Sequence, residues 1–344
     1  MKKIIILGID NFSFKNTYQI KCLNQNNYKV YVFTNDILKT SSKNLNNKNN
    51  LKILEKDPLK RIGQINKFLS QNKREIHHVE IYPGGKFSFI YLMLAKKFNL
   101  KSIVVERGDI SLYRKQSLTK FSMRFCYKFS DIVWYRESYK DLDVKKQLKE
   151  WGAKKLYFIP NAAPEVDIEK KNILNKYLFL WVNRFLKERK VKWFVDSVNE
   201  FKFSKSIMLG LMNNKYQEKY PINNQSKYLQ VIDYQNPRDY YLRSKFFVLP
   251  SDVVFLNNAL LEAMSYGLVP LISDVQGSNL IVDDGINGFV FEHCKDGLKN
   301  AMKKAIALTD EEYEQMSINA QKKVKKTYSF DVWCKKYIKM INDL

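Results

Sequence analysis

The sequence predicts an α/β protein of two doubly wound, parallel-sheet domains, and three observations carry that reading. The chain has 344 residues, enough for two domains of ordinary size. Short apolar runs alternate with longer helical patterns from end to end, which is the signature of parallel β–α units. The alternation breaks once, at Pro160-Asn161-Ala162-Ala163-Pro164 and the charged, weakly periodic stretch 165–176, and then resumes in the same form. That stretch reads as a linker.

Taken in order, the first half opens with the apolar run 2–9, suited to a central strand covered on both faces. Further strands are expected at 28–34, 51–54, 79–82, 101–105, 131–135 and 155–159. Helices are expected at 16–23, 59–72, 87–98, 118–129 and 138–151. The strand at 79–82 ends in Pro83-Gly84-Gly85, and the strand at 101–105 ends in Glu106-Arg107-Gly108-Asp109. The second half offers strands at 177–182, 206–211, 229–231, 246–250 and 268–272. Its helices fall at 191–200, 214–219, 237–244, 258–266, 296–308, 310–327 and 331–341. Gly267 closes the helix at 258–266 in the position where positive φ is wanted. Loop 273–279 follows the next strand, and Asp283-Asp284-Gly285 and Asn287-Gly288 punctuate a short last strand.

Composition narrows the function classes. Hydrophobic residues make up 45% of the chain, ordinary for a globular protein. No run of about 18 uncharged apolar residues exists, so no transmembrane helix is expected. The N-terminal MKKIIILGID has the charge pair of a signal peptide but too short an apolar core, and reads as a buried strand. Cys22, Cys126, Cys294 and Cys334 show no paired spacing, and His77, His78 and His293 add no metal pattern. Free thiols in a reducing cytoplasm are therefore expected. The net charge of +24 attracts polyanions: nucleic acid, an anionic membrane surface or phosphorylated substrates. Nucleotide-composition bias toward lysine and asparagine accounts for part of it. No nucleic-acid-binding module is recognisable, so no specific nucleic-acid partner is expected.

Residues 249–292 are the most informative stretch. They read strand–helix–strand with polar loops where strands end, the place where open parallel sheets bind ligands. The helix begins after Asn257-Asn258, so the main-chain N–H groups of Asn257, Asn258 and Ala259 are offered to an anion, with Leu260 a further ligand-side candidate. Glu262 lies one turn in, on a helix otherwise rich in Ala, Leu and Met; it is either a ligand-binding carboxylate or a solvated one. The segment Trp181 to Lys190 joins a strand to a helix and carries Arg184, Arg189 and Lys190. Cations there can hold an anionic ligand, or simply solvate a helix start.

The pattern P-S-x-x-E-G-F-x-N-x-x-x-E-A-M-x-x-G-x-P-V, then S-D-x-x-G, then D-G-x-N-G, is that of glycosyltransferases of the GT-B fold, in particular the retaining family 4. Pro250, Ser251, Asn258, Glu262, Ala263, Met264, Gly267, Ser273, Asp274, Gly277, Asp284, Gly285, Asn287 and Gly288 match it, and Pro270 stands one place after the pattern's proline. Ile159-Pro160-Asn161 is similar to the family's segment before the hinge, and Arg184 falls on the arginine of G-R-L-x-x-x-K-G, with Arg189 on the lysine and Lys190 on the glycine. The resemblance covers nearly all of the second half by motif and the first half by pattern alone. Val254 replaces the first glutamate of the family's pair, Phe255 the next glycine, Leu280 a later glutamate and Gly108 a histidine.

The resemblance implies two Rossmann-like domains facing a central cleft: 1–164 on the acceptor side, with 329–344 packing back on it, and 165–328 on the donor side. It implies transfer of a sugar from a nucleotide diphosphate to an acceptor hydroxyl, in bacterial surface polysaccharide synthesis. Arg184, with Arg189 or Lys190, is expected on the diphosphate and Glu262 on the ribose hydroxyls. At the sugar, Val254 removes a polar contact; the donor lacks that hydroxyl, a residue such as Asp252 substitutes, or activity is lost. Asp109 is a catalytic candidate that would orient a sugar hydroxyl, and Glu106, Arg107, Gly84, Gly85 and Asp10 are acceptor-side candidates, each with an ordinary loop or turn reading beside it. No cofactor and no metal are implied; Asp141-Leu142-Asp143 lies in an expected helix and is read as chance. A glycan or lipid-linked glycan is the implied acceptor. Stretch 114–128 has five basic residues and no acid. It suits an anionic membrane surface, or a helix with its apolar side in the core. The implied location is cytoplasmic, with an option on the inner face of the plasma membrane. The alternative reading is a non-catalytic GT-B protein that binds a nucleotide or a protein partner.

Overall fold

The computed structural model describes residues 1–12, 14–37, 51–85, 88–106, 110, 117–136, 143–166, 176–202, 205–210, 226–233, 235–254 and 256–344. The chain divides into two compact units. One is made of Met1–Glu137, Leu142–Pro160 and Trp333–Leu344, the other chiefly of Asn161–Val332. Among the described residues no helix is long and apolar enough to cross a membrane.

The first unit holds seven parallel strands: β1 (Lys3–Phe12), β2 (Lys29–Ile37), β3 (Leu51–Ile53), β4 (Ile76–Ile81), β5 (Lys101–Glu106), β6 (Ile132–Tyr135) and β7 (Leu156–Phe158). Their order is β3-β2-β1-β4-β5-β6-β7, so the winding reverses between β1 and β4. Ile4, Ile5, Ile6 and Leu7 are all fully buried, which is why β1 reads as a continuous apolar run without alternation. Helices α1 (Phe14–Gln25), α2 (Pro58–Asn72), α3 (Ser88–Lys97), α4 (Ser117–Phe129) and α5 (Val144–Glu150) connect the strands. Asp57 caps α2 by accepting from the Lys60 amide, with Pro58 at the first helical position. Asp143 caps α5 through the Lys146 amide, which gives that half of the Asp-x-Asp pair a local role; Asp141 lies outside the described residues.

The second unit repeats the plan with β8 (Tyr177–Val182), β9 (Ser206–Gly210), β10 (Leu229–Asp233), β11 (Ser244–Leu249), β12 (Val269–Ser273) and β13 (Phe289–Phe291). The order is β10-β9-β8-β11-β12-β13, all parallel, with the reversal between β8 and β11. Leu180, Val182, Phe247 and Leu249 pack on one face, Phe179, Trp181, Phe246 and Val248 on the other. Helices α6 (Val191–Phe201), α7 (Arg238–Leu242), α8 (Asn258–Ser265), α9 (Ser278–Ile281), α10 (Lys295–Ile306) and α11 (Asp310–Tyr328) cover them. A capping box between Thr309 and Glu312 starts α11. The short α9 was not legible beforehand: it follows Gly277, whose φ of 84° turns the chain inside a stretch that reads as loop. The helix expected at 214–219 and most of the linker lie outside the described residues.

The closing helix α12 (Phe330–Asn342) supplies Trp333 and Tyr337 to the first unit. Their rings stack at 4.9 Å, and Tyr337 lies 5.1 Å from the Trp134 ring. The Tyr337 hydroxyl donates to the buried Glu80 and accepts from Gln19 at 3.0 Å. Cys334 on the same helix is disulfide-bonded to Cys22 on α1. The expectation of four free thiols is thereby corrected. The partners are 312 residues apart, so spacing cannot reveal them; only the return of the last helix brings them together. Cys126 and Cys294 are the free thiols, and burial pushes that of Cys126 up to about 12. Alkylation of the denatured, unreduced protein should label two cysteines, and all four after reduction. Cys334→Ser should lower stability by about 2–4 kcal/mol in chemical denaturation.

Candidate functional site

In the second unit the strand order reverses between β8 and β11, and the loops leaving these neighbours, 183–190 and 250–257, emerge side by side. Ligands of doubly wound sheets bind at such a point. Asn183 leaves β8 directly over the end of β9: a Cβ on Gly210 would overlap the Asn183 carbonyl oxygen, so glycine is required there. The Arg184 amide donates to Asn183 Oδ1 at 3.0 Å, and Phe185 is fully buried against Trp181 with ring centroids 5.2 Å apart. Phe185 anchors the loop from beneath while Arg184 is exposed. Among the described residues the Arg184 guanidinium has no hydrogen-bond or ion-pair partner.

The other two cations are engaged. Arg189 Nη1 donates to Ser251 Oγ and to the Val253 carbonyl, both at 2.9 Å, and so ties the two loops together. The Asp252 amide adds a bond to the Glu188 carbonyl at 2.9 Å. Lys190 Nζ lies 2.9 Å from Asp252 Oδ1, which also meets His293 Nε2 at 2.7 Å. Burial alone would raise the Asp252 carboxyl, but the hydrogen bonds from Lys190 and His293 hold it below the usual carboxylate range. Lys190 has φ 44° and ψ 39°, the left-handed conformation. The family pattern has glycine here because this backbone suits glycine; lysine adopts it at a cost of about 1 kcal/mol.

On α8, Asn257 is the N-cap and accepts from the Leu260 amide at 3.2 Å. The Asn257 amide itself donates to the Val254 carbonyl at 2.9 Å. Of the three amides expected to face an anion, that of Asn257 is thus spent inside the cap, as is that of the candidate Leu260, and those of Asn258 and Ala259 remain. Asn258 Oδ1 accepts from Asn161 Nδ2 at 3.3 Å. Glu262 is half-buried, and its Oε2 accepts from the Tyr241 hydroxyl at 3.0 Å. Tyr241 stacks on Tyr266, with centroids 5.4 Å apart. Val254 is fully buried in the core with Leu260 and Leu261, which corrects its place among donor-contacting residues.

Residues 165–323 match the family model of glycosyl transferases group 1. The chain carries that domain and is a glycosyltransferase. It is 26% identical over 301 residues to an Escherichia coli UDP-Gal:alpha-D-GlcNAc-diphosphoundecaprenol alpha-1,3-galactosyltransferase, across 77% of this chain and 74% of that one. Anabaena HepE, solved in complex with UDP and glucose, superposes with a TM-score of 0.79 at 12% identity over the full length of both chains. The lipopolysaccharide outer core galactosyltransferase WaaB superposes with a TM-score of 0.68 at 15% identity, again over both full lengths. Those structures share the GT-B fold with it.

Much of the sequence pattern this glycosyltransferase shares with its family builds the frame of the site. Ser273 Oγ accepts from the Ser251 amide at 3.0 Å. The fully buried Asn287 accepts from the Asp283 amide at 2.8 Å, Gly285 has φ 72°, and a Cβ on Gly288 would strike Pro270. These residues make a tight turn. Tyr241, His293 and Gly210 escaped the sequence reading: each acts through a neighbour on another strand or helix, and nothing near it in sequence signals that.

In the first unit, Gly84 and Gly85 follow β4 at the β1/β4 reversal, while the Gly85 amide already donates to Ser88 Oγ at 3.0 Å. A Cβ on Gly8 (φ 82°) would overlap the Tyr82 carbonyl, so these two strand ends touch backbone to backbone. Asp10 lies in β1; its side chain, like Arg107 and Asp109, lies outside the described residues. Glu106 is corrected as an acceptor contact: it is fully buried, accepting from the Tyr127 hydroxyl and, at 3.3 Å, from the Ile110 amide. Arg136, just past β6, was missed. Its guanidinium lies 4.1 Å over the Trp134 ring and donates to the Tyr82 hydroxyl at 3.1 Å.

The two loop arginines should separate in urea denaturation. Arg189→Ala leaves a hydroxyl and a carbonyl without their donor and should cost about 1–3 kcal/mol. Arg184→Ala removes an exposed, unpartnered group and should stay within about 0.5 kcal/mol of wild type.

Proposed function

We propose that this glycosyltransferase transfers a hexosyl group, with retention of configuration, from a uridine diphosphate sugar to a hydroxyl of a lipid-linked or surface-polysaccharide glycan. The observation that carries the proposal is the exposed Arg184 guanidinium at the end of β8, without a partner among the described residues and beside the strand that leads to Glu262. An exposed cation at a strand end where doubly wound sheets bind ligands suits a diphosphate. The nucleotide and acceptor classes are supported by similarity to the Escherichia coli galactosyltransferase, whose donor and undecaprenol-linked acceptor its name states. Anabaena HepE, solved with UDP and glucose, supports the nucleotide.

In this mechanism the bond between the anomeric carbon and the β-phosphate oxygen breaks, and its electron pair stays on the diphosphate. Arg184 meets that growing charge, together with the free amides of Asn258 and Ala259 at the positive end of α8. Glu262, steadied by Tyr241, accepts hydrogen bonds from two ribose hydroxyls at once. The acceptor hydroxyl attacks the face the diphosphate leaves and passes its proton to a departing phosphate oxygen, so no protein nucleophile is needed. Fixed positive groups do the work of a divalent ion, and turnover is expected to be unaffected by chelators. With Val254 in the core, the polar side chain at the donor sugar is Asp252, whose carboxylate is oriented by Lys190 and His293.

A thermal-shift screen of UDP-, GDP-, dTDP- and CMP-sugars should give its largest shift with a UDP-sugar, since ligands stabilise by mass action. With that donor, Arg184→Ala should lower kcat/KM by about 10²–10³ while the melting temperature holds. Unchanged turnover in this variant rules the mechanism out.

A further inference from the structure

We propose that the outer face of α3 and α4 is a docking surface for an anionic phospholipid bilayer. The outer side of α4 carries large apolar residues as well as the inner one. Thr119, Ser122, Met123, Cys126 and Tyr127 are buried, and Ser122 Oγ accepts from the Phe89 amide at 3.1 Å. Leu118, Phe121 and Phe129 stand 47%, 56% and 48% exposed. The neighbouring α3 adds Met93, 53% exposed. The rings form one continuous set: Phe89 lies 6.2 Å from Phe121 and 5.9 Å from Phe125, and Phe125 lies 4.7 Å from Phe129. Single exposed apolar side chains are ordinary, but a connected aromatic group across two helices marks an interaction surface.

The charges beside it say what covers it. Lys120, Arg124 and Lys128 repeat at i, i+4 and i+8, one position before the Phe121–Phe125–Phe129 stripe. Lys96 and Lys97 end α3, and neither helix contains an acid. Asp131, just beyond α4, is already bound to Lys96 and Ser102. An aromatic stripe edged on one side by cations fits a bilayer interface, with rings among the upper acyl chains and ammonium and guanidinium groups at the phosphates. A second copy of this face fits poorly, because two-fold pairing would set like-charged stripes against each other.

The test is co-sedimentation of the full chain with vesicles of phosphatidylglycerol and phosphatidylethanolamine, and separately of phosphatidylcholine. Wild type should pellet with the anionic vesicles and stay in solution with the neutral ones. The pair Phe121→Ser, Phe129→Ser should weaken partition about tenfold or more. The triple Lys120→Gln, Arg124→Gln, Lys128→Gln should weaken it about fivefold per charge at low salt. Both variants should melt as wild type does, since the replaced groups are exposed or, at Lys120, half-buried. Equal partition onto neutral vesicles overturns the proposal, as does undiminished binding by the phenylalanine pair. So does a wild-type dimer in sedimentation equilibrium that the phenylalanine pair dissolves.

Discussion

The candidate site of the second unit depends on one guanidinium. Arg189 bridges the loops that leave β8 and β11 by donating to the Ser251 hydroxyl and the Val253 carbonyl. Parallel strands bring those loops to one edge, but nothing in the sheet sets their spacing beyond the last ladder bond. The brace sets it, and with it the relation between the turn that presents Arg184 and the cap that starts α8. Ser251 is the hub of the arrangement: its amide is held by Ser273, and its hydroxyl serves both Arg189 and the loop's own backbone. The two loops are therefore tied to each other by hydrogen bonds within the chain itself.

Sequence position alone does not reveal that brace. Arg184, Arg189 and Lys190 are equivalent as charges along the chain, and three candidate phosphate ligands follow. Burial and partners separate them: one braces, one pairs with Asp252 and one is left open. Lys190 shows the same limit from the backbone side. A lysine in the glycine position of the family pattern reads as an added cation, whereas the left-handed φ makes it first a turn residue.

The fold was more legible than the site because periodicity reports burial directly. The buried runs of β1, β8 and β11 and the capped helices α2 and α8 stand close to where apolar spacing and turn residues put them. Contacts that depend on return of the chain carry no local signal. The Cys22–Cys334 bond, the Tyr337–Glu80 contact and the burial of Glu106 beneath Tyr127 all join residues far apart in sequence. A carboxylate at the end of a strand looks like a ligand group whether or not a tyrosine from the next helix covers it.

The α4 helix carries that argument furthest. Its spacing defines an apolar stripe and a basic stripe and leaves open which way they face, since either orientation gives the same amphipathic pattern. Packing decides. Ser122 is needed inside to accept from the amide that begins α3, and Tyr127 is needed inside to satisfy Glu106. Both demands fall on one side of the helix, so the phenylalanines at 121 and 129 are turned outward although they are the stronger hydrophobes. Two buried polar groups that must be paired thus outweigh the burial of two aromatic rings, because an unpaired buried carboxylate costs more than an exposed ring. The apolar face left outside is then set by the same hydrogen bonds that build the first unit.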